Sequence, residues 1–175
     1  KYVAYLTDVL AMAGHQDAAA AAKRVMEFET RLATASWPRV DLRDPNKIYN
    51  PFDLAGAARA TSGLDWARLL AQAGIQGHDQ VVVGQPSFFA EVGKALGDVP
   101  LGTWKDYLQV RAIDAYAPYL NDALVQRHFD FYGRTLSGTP ALKPRWKRGL
   151  DETENAMGDL LGKAYVARHF PPQAK

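Results

Sequence analysis

Four histidines, His15, His78, His128 and His169, are the first place to look for a metal centre in this 175-residue chain. A hydrolytic zinc site presents two imidazoles together. In HExxH they stand at i and i+4, because that spacing puts both rings on one face of a helix. These four are far apart, none has a second histidine at helical spacing, and they read as surface or helix-end residues. Ser36, Ser62, Ser87 and Ser137 stand in turn or helix-start contexts, and none lies in the GxSxG elbow that exposes a nucleophile. The carboxylates of "DETE" (Asp151, Glu152, Glu154) fall early in a helix, where the dipole favours negative charge. They follow the cluster Lys143, Arg145, Lys147 and Arg148, and the two groups together read as a solvated charged face. No GxxxxGK[ST] loop is present to cradle phosphate. "KPRWKR" interleaves one tryptophan with basic residues, but a net charge of +2 argues against nucleic acid as a partner. No residue is therefore assigned as catalytic or metal-binding, and the substrate-binding residues are unassigned.

The bulk properties are those of a folded helical protein. Apolar residues make up 47% and charged residues 23%. With no cysteine there is neither a disulfide framework nor a thiolate metal site, and the compartment stays open; the expectation is periplasmic or extracellular rather than cytoplasmic. No apolar run approaches the roughly 20 residues needed to cross a bilayer. The chain opens "KYVAYLTDVLAMAG", without an initiator Met and already at helical spacing, which reads as a piece of a longer protein.

Helical periodicity dominates the pattern. Val3, Leu6, Val9 and Leu10 form one stripe that Gly14 ends, and Asp17 is placed to cap a second helix carrying Val25, Phe28 and Leu32. Together they predict an antiparallel helical hairpin. "PRVDLRDPNKIYNPF" is irregular, with Ile48, Tyr49 and Phe52 as apolar anchors. Short helices are expected at Leu54–Ala60 and Asp65–Ala73, and another over "PSFFAEVGKAL", started by Pro86.

"QVVVG" is the one β-type run, and an isolated strand leaves its backbone unpaired. It is expected to pair with an extended part of the preceding loop, around Val40 to Ile48. From Thr103 the chain is helical to Leu136. One stripe is Trp104, Leu108, Ala112 and Ala115. Beyond the break that Pro118 must cause lie Leu120, Leu124 and Phe131, with Phe129, Tyr132 and Leu136 on a second face. The last helix places Trp146, Leu150, Met157, Leu160, Leu161 and Ala164 near one face, and Gly158 and Gly162 invite close approach by a neighbour. Trp146 is expected to be buried, with Lys147 on the solvent side. The reading is all-α: a multi-helix, bundle-like segment over residues 1–175 with one short β element.

The order of motifs carries more than any one of them. "RDPNKIYN", "DWARLL", "VVVGQPSFF", "LGTWKDYLQVRAID", "FDFYGRTLSG", "RWKRGL" and "GDLLGKAYVARHF" follow one another along the chain. This succession resembles the neprilysin and endothelin-converting-enzyme family of zinc metallopeptidases, in the region that precedes the catalytic zinc motif. Where vertebrate members have a cysteine after the "RW–basic–basic" element, this chain has Gly149, a departure that fits a bacterial-type member.

The resemblance implies a two-lobed peptidase whose lobes enclose a chamber for oligopeptides. It also implies one zinc held by HExxH and a downstream Glu, and cleavage on the amino side of apolar residues. All of these elements belong to sequence outside residues 1–175, so the segment is expected to be inactive alone. Its expected role is to supply helices of the substrate-enclosing lobe and of the connection to the catalytic lobe, its partner. The alternative is a non-catalytic helical module that binds peptide or protein. An independent hydrolase with a dispersed site is disfavoured, because the sequence has no clustered histidines, no nucleophile elbow and no phosphate loop.

Overall fold

The computed structural model describes residues 1–174 of the chain. The described residues are mainly helical, with one two-stranded sheet, and divide into two compact units, Lys1–Arg127 and His128–Lys175. No described helix is long and apolar enough to cross a membrane.

The first unit opens with the expected hairpin. Helix α1 (Tyr2–Met12) buries Tyr5, Leu6, Val9 and Leu10, and α2 (Ala18–Ala35) buries Ala18, Ala21, Ala22, Val25 and Phe28. Small alanines at the contact let the two backbones come close, so the larger residues interdigitate. Gly14, at φ +81°, ends α1 in a conformation that costs glycine little. Asp17 stands at the N-cap position of α2 but makes no side-chain cap bond.

The irregular stretch ties itself down. Asp44 accepts from the Asn46 amide at 2.9 Å and starts α3 (Pro45–Ile48), while Lys47 pairs with Asp41. Ile48 and Phe52 are half-buried, but Tyr49 is exposed and anchors nothing. Strand β1 (Pro51–Asp53) pairs antiparallel with β2 (Gln80–Val82), Phe52 opposite Val81. The "QVVVG" run thus pairs within the chain, but not with Val40 to Ile48. Asp44 and Pro45 commit that stretch to a helical turn, so the first extended backbone comes just after it.

Asp53 ends β1 and caps α4 (Leu54–Ala60) through the Gly56 amide, at 2.5 Å. Asp65 caps α5 (Trp66–Gln72) through Arg68. Pro86 opens α6 (Pro86–Asp98), whose Gly93 lies directly against the backbone of Ser62 and Gly63. Gly63 itself has φ +97°.

Helix α7 (Leu101–Tyr116) corrects the expected stripe. It buries Thr103, Asp106 and Val110, whereas Leu108 is 58% exposed and Ala112 and Ala115 face solvent. The buried face runs through a carboxylate, which hydrophobic spacing does not reveal. Pro118 splits the helix as expected: a 3-10 turn over Ala117–Tyr119 leads to α8 (Asp122–His128), where Asn121 accepts from the Leu124 amide.

In the second unit the chain continues as a π-helix, Phe129–Leu136, burying Phe129 and Phe131 and leaving Leu136 exposed. The i→i+5 turn is wider than an α turn, so stripes phased for 3.6 residues slip out of register here. Gly133 lies under the Phe129 ring, where any Cβ would collide with it. Helix α9 (Arg145–His169) kinks at Met157, with φ −136°.

None of the residues of α9 is buried. Trp146 is 64% exposed, against the expectation that it covers a core. No atom lies within 4 Å of a Cβ built on Gly158 or Gly162, so the neighbour expected there is absent among the described residues. The expected face, Trp146, Leu150, Met157, Leu160, Leu161 and Ala164, is exposed throughout and is broken by the kink at Met157.

Candidate functional site

The residues singled out for chemistry do not converge. Ser87 accepts a hydrogen bond from the Trp37 indole at 2.7 Å, and Ser36 and Ser137 donate to the carbonyls of Leu32 and Tyr132. These are turn and helix-end roles. Asp151 pairs with Lys143 at 2.7 Å with both side chains about half exposed or more, the solvated charge pairing expected. His128 and His169 lie in tilted ring contacts with Tyr132 and Tyr165, each four residues further along or back, and His78 is exposed. Among the described residues no group of three or more His, Cys, Asp or Glu is placed to hold a metal ion. The residues present therefore do not fit a zinc site.

The polar chemistry that does assemble lies between α1, α2, α6 and α7. Asp106, 6% exposed, accepts from His15 Nε2 at 3.0 Å and from Arg24 at 2.8 and 3.3 Å. The amide of Asp17 donates to Nδ1 of the same ring at 3.2 Å. With Nδ1 accepting, the proton sits on Nε2 and points at the carboxylate, so the turn between α1 and α2 sets the tautomer.

Further along, the Tyr5 hydroxyl donates to Asp114 at 2.5 Å, and Arg111 bridges Asp114 at 2.7 Å and Glu29 at 3.3 Å. Arg127 lies over the Tyr5 ring and pairs with Asp8. Nearer the end of α2, Arg31 forks onto Asp98 at 2.7 and 3.0 Å and reaches Glu91 at 2.5 Å. Those bonds hold the guanidinium protonated still more firmly than usual and draw the Asp98 carboxyl below the ordinary carboxylate range.

This arrangement clamps helices. Asp106, Asp114, Asp98 and Glu91 each accept hydrogen bonds from a cation or a hydroxyl, and Glu29 is held only by its charge pairing with Arg111. Such ionic contacts fix the phase of α7 against the hairpin rather than do chemistry. Sequence reading missed Asp106, because a carboxylate inside a helical stripe looks like a break in the stripe. The only available signal was that a buried acid needs partners, and His15 and Arg24 become its neighbours only after folding.

The other feature is the bare side of α9. Trp146, Leu150, Leu160, Leu161, Tyr165 and Phe170 are all between 42% and 64% exposed. Large apolar residues at helical spacing with nothing over them mark a surface made to meet another surface.

The chain matches peptidase family M13 over residues 1–175. It is 26% identical to neprilysin-2 of Drosophila melanogaster, covering 99% of this chain and 25% of that protein. An endothelin-converting enzyme homolog of Locusta migratoria is 23% identical over 99% of the chain and 26% of its own length. Among solved structures, the zinc metalloprotease Zmp1 of Mycobacterium tuberculosis in its open state superimposes with a TM-score of 0.89 at 37% identity, covering 99% of this chain and 28% of that one. Zmp1 in complex with an inhibitor gives 0.88 at 35% identity, over 97% and 26%. The chain spans about a quarter of the length of the relatives it matches.

Proposed function

The chain belongs to peptidase family M13, and on that premise we propose that it is the N-terminal helical segment of a zinc metalloendopeptidase acting on oligopeptides. Residues 1–175 serve as one segment of that enzyme, contributing helices to the lobe that encloses the substrate and to its connection with the catalytic lobe. The observation that supports this reading most is the match of nearly the whole chain to about a quarter of a zinc metalloprotease, at 37% identity.

Zinc and the residues that activate water are supplied by sequence outside residues 1–175. The apolar side of α9 is the seam to the rest of the enzyme. The clamps at Asp106, Asp114 and Arg31 keep the hairpin, α6 and α7 in fixed phase so that the enclosing wall does not deform. The enzyme works outside the cytoplasm, in the periplasm or the extracellular space.

The test is expression of the full-length protein and assay of a quenched oligopeptide with and without a chelator. Cleavage that chelation abolishes and added zinc restores is the expected result. A full-length protein that binds peptide without cleaving it would instead favour the non-catalytic binding module. The seam is tested by Leu160→Asp, which should lower the melting temperature of the full-length protein. Lys23→Ala, at an exposed position of α2, should leave it unchanged.

A further inference from the structure

Helix α7 has reversed polarity. Its buried side carries Thr103, Asp106 and Val110, so a hydroxyl and a carboxylate face the interior of the first unit. The opposite side carries Leu101, Lys105, Leu108, Ala112 and Ala115, and all five are exposed, Leu101 at 69% and Leu108 at 58%. With about 100° between successive residues, the five fall within an arc of about 80° whose centre lies opposite Val110. A helix whose outer side meets only water has the opposite arrangement, with apolar residues inward and polar ones outward.

The spacing points to what the outer side is for. Successive positions are separated by four, three, four and three residues, the seam along which one helix packs on another at a shallow angle. Leu101 and Leu108 stand as knobs toward one end, and Ala112 and Ala115 let a second backbone come close at the other. Tyr116, also exposed, extends the apolar border. Lys105 is the one charge in the seam, and its stem can cover apolar surface while the ammonium reaches the rim.

We propose that this seam is covered by an α-helix of the same polypeptide, from the part of the protein outside residues 1–175. The size of the seam argues against a second copy. A 16-residue helix is about 24 Å long and, with a stripe about 10 Å wide, offers about 240 Å². Each partner of a stable complex buries roughly 800 Å². A segment of the same chain is already tethered, so packing on so small a stripe costs it far less freedom. There is polypeptide to supply it, because the chain spans about a quarter of the length of the relatives it matches. A substrate fits less well, since a convex helix offers no pocket and its central amides and carbonyls are bonded within the helix. The inference rests on the reading of residues 1–175 as one segment of a longer enzyme. It gives the first unit a seam of its own and names the kind of element that fills it.

The test is photo-cross-linking in the full-length protein, with Leu108→p-benzoylphenylalanine and Leu101→p-benzoylphenylalanine made separately and an oligopeptide substrate present. Cross-linked peptides are identified by mass spectrometry. The expected result is a cross-link within one chain to residues outside 1–175, the two probes reaching positions about seven residues apart, as on a facing helix. Cross-linked dimers would assign the seam to a second copy, and cross-links to the added peptide would assign it to substrate; either overturns the proposal. So do the absence of a cross-link, cross-links confined to residues 1–175, and positions without the seven-residue relation.

The readout needs no catalysis. Cross-links as expected in a protein that cleaves nothing overturn the peptidase reading alone, and cleavage without them overturns the seam alone. If the bulky variants do not fold, Leu108→Cys is treated with a maleimide in the native and the urea-unfolded full-length protein. Modification several-fold slower in the native protein, at the mass of a monomer, supports the covered seam, and equal rates or a dimer's mass reject it.

Discussion

Asp106 and His15 lie 91 residues apart in sequence, yet their side chains meet at 3.0 Å, with the imidazole held from behind by the Asp17 amide. The carboxylate thus joins α7 to the turn of the hairpin through Oδ1, while Arg24 from α2 donates to its other oxygen, Oδ2. Arg24 is 42% exposed and regains water when its partner is lost, so the penalty is below that of a fully buried pair. Asp106→Ala should cost about 1–3 kcal/mol in urea unfolding. Asp106→Asn, which keeps an acceptor for His15, should cost less. Equal, negligible effects would show that the clamp contributes nothing to stability.

Gly93 and Gly63 give a contrasting case, set by shape alone. A Cβ on Gly93 would collide with the carbonyl of Ser62, a backbone atom that cannot swing aside as a side chain can. Gly93→Ala is expected to destabilise by about 1–3 kcal/mol. Gly97, on the same helix with open space around it, should tolerate alanine and gain up to about 1 kcal/mol from helix propensity. Thermal unfolding of the two variants side by side decides whether the close approach is real.

Acid stability should respond to Arg31. Asp98 is held below the ordinary carboxylate range by the guanidinium, so its folded pKa lies under the unfolded one. The sign follows by linkage: the contribution is fully present above about pH 4 and is lost as pH falls through the lowered folded value. Arg31→Met removes the cause. Its melting temperature should fall less steeply than that of the wild type below about pH 4. Parallel curves in a pH series of melts would refute the assignment.

Exposure separates two aromatic residues that look alike in the sequence. Phe28 is 4% exposed and packs edge-on against Trp104 and Tyr107, while Trp146 is 64% exposed. In this chain by itself Phe28→Ala should cost about 3–5 kcal/mol and Trp146→Ala no more than about 0.5 kcal/mol. In the full-length protein the Trp146 variant should become costly, because the seam is then covered. A small Trp146 effect in both settings would argue against α9 as a seam.

Metal content gives the last check. Residues 1–175 expressed alone should retain no stoichiometric zinc after dialysis, because ligands must be clustered to hold it. One zinc per chain by elemental analysis, with chelator-sensitive cleavage, would place a site in these residues after all.

Much of this protein could be read from its residues, and the division has a physical cause. Helix positions followed from local rules: Gly14 stopping α1, Asp65 capping α5, Pro86 opening α6 and Pro118 ending α7 act within a turn of themselves, so sequence determines them. The family was also legible, because the order of motifs survives even where each is weak. The partner of β2 was not. Any extended segment satisfies a strand's backbone, and the choice of Pro51–Asp53 depended on Asp44 and Pro45 first committing their neighbours to a turn.

The buried face of α7 was not legible either. Spacing alone favoured Leu108, and only the tertiary meeting of Asp106 with His15 and Arg24 makes a buried carboxylate tolerable. For α9 the sequence determined an apolar face but not its burial. Burial belongs to a pair of surfaces, and none of the residues of α9 is buried.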